Sequence, residues 1–216
     1  MIRYISLFSI LLMAAGNAGA QVTDHQGKNY KTVKIGNQTW MSENLDAGTF
    51  RNGEPITEAT SAEEWKKMGI EGKPAWCYYG FNAESGAQYG KLYNWYAVND
   101  ARGLAPKGWH VPTDEEWTQL TEFLGGHQTA GIKTKNITGW KDNGNGNNSS
   151  GFAGLPGGYC NAFGAFFNES NSGYWWSSTE NGKSYAWYRV LTYSYKDMYR
   201  DDYYEQHGLS VRCLRD

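Results

Sequence analysis

One stretch constrains this chain more than any other: residues 108–126, GWHVPTDEEWTQLTEFLGG. Pro112 fixes the entry, and the Thr113 hydroxyl is placed to accept a hydrogen bond from a free N–H of a first helical turn. Glu116 stands three residues on, so Thr113-Asp114-Glu115-Glu116 reads as a capping box. Three successive acids lie at the positive end of the helix dipole. Trp117, Leu120, Thr121 and Leu124 recur at helical spacing and give one buried face. Gly125 and Gly126 supply the left-handed stop. A helix is expected over roughly 114–124, and aromatic strands elsewhere in the chain need such a helix to pack on.

The 216 residues include 10 Trp, 16 Tyr and 27 Gly. Many aromatics with many glycines point to short strands and tight turns rather than a helical bundle. The first 20 residues read as a secretory signal peptide: Arg3 as a small basic region, an apolar run over 5–15, and the small-x-small site Ala18-Gly19-Ala20. That run is too short to span a bilayer, and no Cys follows the cleavage site to mark a lipoprotein. The remainder, 21–216, is long enough for a single domain with a real core. It is expected to be exported, to the periplasm or the outer surface. A formal charge of −2 argues against a nucleic-acid partner, and no membrane span is expected after leader removal.

Tyr30 to Ile35 alternates, Gly36-Asn37 turns, and Thr39-Trp40-Met41 returns, which makes a hairpin. Residues 46–60 read as irregular. Ser61 with Glu64 caps a second short helix through Trp65 and Met68, stopped at Gly69. Trp76-Cys77-Tyr78-Tyr79 reads as a strand, whereas GKLYNWYAV over 90–98 fits strand or helix equally. Residues 127–150 read as a long polar loop. A strand broken by glycines and Pro156 is expected over 151–159, and short strands of an antiparallel sheet over 165–167, 174–178, 185–195 and 208–214. The fold class is therefore α+β: two short helices plus twisted antiparallel strands, with many loops.

Little catalytic chemistry is written in the sequence. His25, His110, His127 and His207 are scattered, and none has a nucleophile beside it. Asp142, Asn143 and Asn145 are weak calcium candidates, because they supply a single carboxylate. Calcium aside, no cofactor is expected. The functional weight falls on aromatics. Trp175, Tyr185, Tyr193, Tyr195, Tyr199, Tyr203 and Tyr204, interleaved with Arg189 and Arg200, are the residue types that dominate binding hot spots. Large side chains on both faces of 185–195 suggest that some must be exposed, on loops.

The segments YKTVKIGNQTWMSENL, YGKLYNWYAV, APKGWHVPTDEEWTQL, SGFAGLPGGY, YWWSSTE and GLSVRCLRD, in that order, resemble the successive motifs of the Fibrobacter succinogenes major paralogous domain family. That family is similar to the C-type-lectin-like fold of formylglycine-generating enzymes. The resemblance implies a compact α+β domain whose first and last strands meet. It also implies a Cys77–Cys213 disulfide, with Cys160 left as the free thiol; the sequence by itself leaves the pairing of three cysteines open. The oxidase chemistry of the resembled enzymes needs a close cysteine pair at the substrate cleft, and no second Cys stands near Cys213 in sequence. The expectation is a non-enzymatic module that binds extracellular glycan or protein. Two rivals are a display protein diversified by a retroelement, suggested by the Tyr-, Asn-, Ser- and Asp-rich residues 181–204, and a structural envelope protein.

Overall fold

A computed structural model describes residues 21–216; the leader reading of residues 1–20 lies outside them. The chain opens with strands β1 (Gln21–Thr23), β2 (Asn29–Ile35) and β3 (Gln38–Met41). Strand β4 (Thr57–Glu58) leads to helix α1 (Ala62–Ile70) and strand β5 (Ala75–Cys77). Helix α2 (Ala83–Tyr89), strand β6 (Leu92–Tyr93) and helix α3 (Trp95–Val98) follow. Strand β7 (Trp109–His110) runs into α4 (Asp114–Phe123) and then α5 (His127–Thr134). The rest is mostly strand: β8 (Gly157–Cys160), β9 (Phe166–Glu169), β10 (Ser172–Glu180), β11 (Tyr185–Thr192), β12 (Tyr199–Tyr204) and β13 (Leu214–Arg215).

The strands form three sheets, in the orders β1-β2-β3-β13-β7, β12-β11-β10-β8-β9 and β4-β5-β6. Strand β13 enters between β3 and β7, so the end of the chain is clamped to the opening hairpin. Single bridges from Leu209 to Tyr93 and from Ser210 to Trp175 join the smaller sheet to the second five-stranded one. The architecture is α+β, with mainly antiparallel, curled sheets and five α-helices among the described residues.

Helix α4 forms as its sequence demands. The Glu116 N–H donates to Thr113 Oγ1 at 3.2 Å, and the Thr113 N–H donates to the Glu116 carboxylate at 2.8 Å. Trp117 and Leu120 are fully buried in an aromatic cluster with Trp40, Phe152 and Trp175. The Trp40 and Trp117 rings lie 4.7 Å apart. Gly125 and Gly126 hold φ of +94° and +90°, where a side chain would be strained.

Several expectations are corrected. The stretch 90–98 is strand and helix in turn, because Asn94 caps α3 by accepting from the Ala97 N–H. Helix α1 runs past Gly69 to Ile70. The polar loop over 127–150 begins as helix α5, with the short 3-10 turn Lys141–Asn143 further on. Its polar residues point outward while Ala130, Gly131 and Thr134 face the fold, and such small residues leave little apolar signal. Residues 199–204, expected on a loop, form β12, hydrogen-bonded along β11.

All three cysteines are free and buried, which corrects the implied disulfide. Cys213 packs in the main core beside Tyr93, whereas Cys77 and Cys160 share a separate cluster with Trp65 and Leu92. The first and last strands meet only in part: β13 joins β3, while β1 is an edge strand beside β2.

Candidate functional site

The aromatic candidates fall into three groups once folded. Trp175 is fully buried, and its indole N–H donates to Asn44 Oδ1 at 2.9 Å; it is a core residue, out of reach of any ligand. Arg189 is also buried, with Nη1 on Asp114 Oδ1 at 2.7 Å and Nη2 on Thr118 Oγ1 at 3.0 Å. Tyr193 and Tyr203 are half-buried. Tyr203 stacks between Tyr188, 5.0 Å away, and His207, 4.4 Å away. Tyr185 is partly covered, whereas Tyr195, Tyr199, Arg200 and Tyr204 are exposed. Large side chains on both faces of β11 thus do not force exposure there. From Tyr188 to Leu191 both faces are buried, one by the main core and the other by the α4 cluster.

The exposed group is held in place from beneath. Residues 193–198 connect β11 to β12, and α5 carries them. The Ile132 N–H donates to Lys196 O at 3.0 Å, and the Met198 N–H donates to His127 O at 2.9 Å. Lys135 Nζ donates to Thr192 O and Tyr195 O at 3.0 and 2.8 Å. Burial pushes the Lys135 ammonium below its ordinary value. Gly131 lets the helix approach the Asp197 carbonyl, and Gly144 does the same for Tyr193, so a methyl group at either would clash with backbone. Tyr195 and Tyr199 meet edge to face at 5.9 Å, and the Tyr199 hydroxyl donates to Asp197 at 2.7 Å.

Beside this hairpin lies a cleft of about 450 Å³ between α4, the start of α5 and β12. Thr118, Thr121 and Met198 form its floor. Glu122 and His127 rim one side, with Tyr199 and Arg200 opposite. The Arg200 guanidinium lies 3.2 Å from the centre of the Trp187 ring and pairs with Asp114 at 2.8 Å. Burial alone would raise the Asp114 carboxyl, but hydrogen bonds from Arg200 and Arg189 outweigh it and hold the carboxyl below its ordinary value. Burial lowers the Arg189 guanidinium, partly offset by Asp114. The cleft offers a cation, a carboxylate, an imidazole and an aromatic face in a volume suited to a small ligand or one side chain of a larger partner.

Of these residues, the sequence had singled out Tyr199, Arg200 and Arg189 as binders. Thr118, Thr121, Glu122, His127 and Met198 were missed. Thr118 and Thr121 are three apart on α4, and only Thr121 had been noted, as a core position. His127 has no visible context in the sequence, because nothing there marks the helix it opens.

The remaining candidates lie elsewhere. Among the calcium candidates, Asp142 and Asn143 sit at positive φ in the 3-10 turn, and Asn145 Oδ1 accepts from the Trp140 N–H at 3.0 Å. That turn acts as a support for Tyr193. His110 stands between the Asp216 and Glu116 carboxylates, at 2.7 and 3.0 Å, with no nucleophile in contact.

The family model described as the Fibrobacter succinogenes major domain matches residues 33–215. No curated protein and no solved structure matches the chain. The match covers the capped helix, the cleft and every strand after β2, and on that ground the chain belongs to the Fibrobacter succinogenes major domain family.

Proposed function

We propose that this chain is an exported, non-catalytic binding module that recognises a glycan or protein ligand at the cell envelope through the cleft between α4 and β12. One observation carries the reading. Tyr199 and Arg200 wall a 450 Å³ cleft, and the adjoining Tyr195, 56% exposed, stands edge-on to Tyr199. Aromatic faces stack on sugar rings or fill partner pockets, and an arginine fork beside them fixes orientation. Anchoring by α5 favours binding further, because a preordered loop loses little entropy when a ligand arrives.

The test is a glycan array and an envelope-protein pull-down with the wild-type domain and with Tyr195→Ala/Tyr199→Ala. The expected result is a ligand that the double variant binds at least ~10-fold more weakly at unchanged thermal midpoint, the scale of a hot-spot loss. A ligand held equally by both proteins, or none found for either, removes the proposal.

A further inference from the structure

Two thiols lie together away from the cleft. Cys77 ends β5, and Cys160 ends β8. The segments that follow and precede them are interlocked. The Tyr79 and Phe166 rings are 5.0 Å apart, and Phe81 meets the same Phe166 at 4.8 Å. A Cβ on Gly158 would press on the Tyr79 ring at 2.7 Å, so that glycine is what lets the two segments close. Cys160 is fixed by a reciprocal backbone pair with Gly208, at 3.0 and 2.8 Å. Its side chain and that of Cys77 lie together inside one buried cluster with Trp65 and Leu92, and the Cys160 Sγ–H points to Asn161 O at 3.5 Å. Cys213 belongs to a different cluster.

From this geometry we propose that Cys77 and Cys160 form a structural disulfide in an oxidising environment, with Cys213 remaining a thiol. The bridge would fasten the three-stranded sheet to the sheet that carries the cleft, and would enclose residues 78–159. Its formation is a thiol–disulfide exchange with a disulfide-bearing oxidant such as oxidised glutathione. One cysteine thiolate attacks an oxidant sulfur and expels the first oxidant thiol. The second thiolate then attacks the protein sulfur of the mixed disulfide and expels the other. Two electrons and two protons pass from the cysteine pair to the oxidant.

Burial, and then the neighbouring Cys160 thiol, push the Cys77 thiol well above its ordinary value. The folded Cys77 thiol is therefore protonated, both side chains are shielded, and exchange proceeds before this cluster closes or while it opens. A cross-link over so long a loop removes much freedom from the unfolded chain.

The inference is independent of what the cleft binds. The experiment refolds the chain from denaturant in a glutathione redox buffer, digests it without reduction and maps it by mass spectrometry. A peptide pair joining Cys77 to Cys160 is expected, with Cys213 the sole residue alkylated after denaturation. In Cys160→Ser the pair vanishes, and both Cys77 and Cys213 alkylate. Reductant should lower the thermal midpoint of the wild-type chain by about 10 °C and leave that of Cys77→Ala/Cys160→Ala unmoved. A Cys77–Cys213 link, alkylation of all three cysteines after oxidative refolding, or a wild-type midpoint indifferent to reductant would overturn it.

Discussion

The rings buried in the core clusters and the rings of the β11–β12 hairpin are built from the same residue types and end in opposite conditions. Trp40, Trp65, Trp117, Trp175 and Trp176 are all under 2% exposed, and every indole N–H among them donates to a protein oxygen. Tyr195, Tyr199 and Tyr204, a short way along the same chain, are 56%, 37% and 48% exposed. Residue type does not divide them, since Tyr30 and Tyr93 are as buried as any Trp and place their hydroxyls on Asp24 and Ala47 O. An internal acceptor for the polar end offsets the cost of burying each of these tryptophans and tyrosines. Rings beyond the end of α4 keep their faces for solvent or a ligand.

The largest expected effect breaks the buried side. Trp117→Ala removes a ring packed against Trp40 and Phe152 and leaves a cavity that the capped helix cannot collapse to fill. A loss of about 3–5 kcal/mol in urea unfolding is expected. Tyr195→Ala should leave the urea midpoint where it was. Similar losses from the two variants would end the distinction between scaffold and display.

His207 stands where the two populations meet, stacked on Tyr203 and 5.9 Å from the exposed Tyr204 ring. Burial lowers its pKa from 6.5 to about 4. Between those values the unfolded chain holds a proton that the folded chain does not, so folding weakens as pH falls through this window. The stability difference is fully present above pH 6.5 and gone below about 4; it amounts to about 3 kcal/mol. Urea midpoints at pH 7, 5 and 4 measure it. His207→Phe, which keeps a ring in the stack, should flatten the profile over that range, and an equally steep profile in the variant would assign the acid sensitivity elsewhere.

Asp114 holds the seam between α4 and the hairpin. Asp114→Asn leaves Arg189, only 2% exposed, without a counter-ion, although Thr118 Oγ1 and the Asp114 carbonyl still accept from it. Loss of one charge-assisted bond to a buried cation is expected to cost about 2 kcal/mol, read as a lower urea midpoint with an unchanged slope. A changed slope would mean that the seam had come apart as a unit.

Legibility followed the same division. Helix α4, the opening hairpin and the strand-rich end could be read because their signals are local: a capping box, a Gly-Asn turn, alternating aromatics. Helix α5 was missed because its buried face is made of Ala130, Gly131 and Thr134. Its loss hid the support of the 193–198 connection, and with it the cleft. Trp175 reads as a binder because nothing in YWWSSTE tells which neighbour will cover it; Asn44, its acceptor, is 131 residues away in sequence. Nothing in YAWYRV tells that Arg189 lines the cleft as a buried side chain. The site was legible as a kind of residue in a kind of region, and not as a surface.

A small loss of stability gives the sharpest probe of the comparison, because Arg189 and Arg200 are cross-strand partners that grip one carboxylate from different environments. The Arg200 side chain is 43% exposed, so water already screens its pair with Asp114. Its stacking on Trp187 adds area more than it adds charge. Arg200→Ala is expected to cost under about 1 kcal/mol in unfolding. Whatever ligand the cleft takes, the same change removes the fork that faces it, and should weaken binding by about 10-fold. Arg200→Lys keeps the charge and loses the fork, so calorimetric titration of the two variants separates the contributions. Equal weakening in both assigns recognition to the planar guanidinium, whereas rescue by Lys assigns it to charge alone.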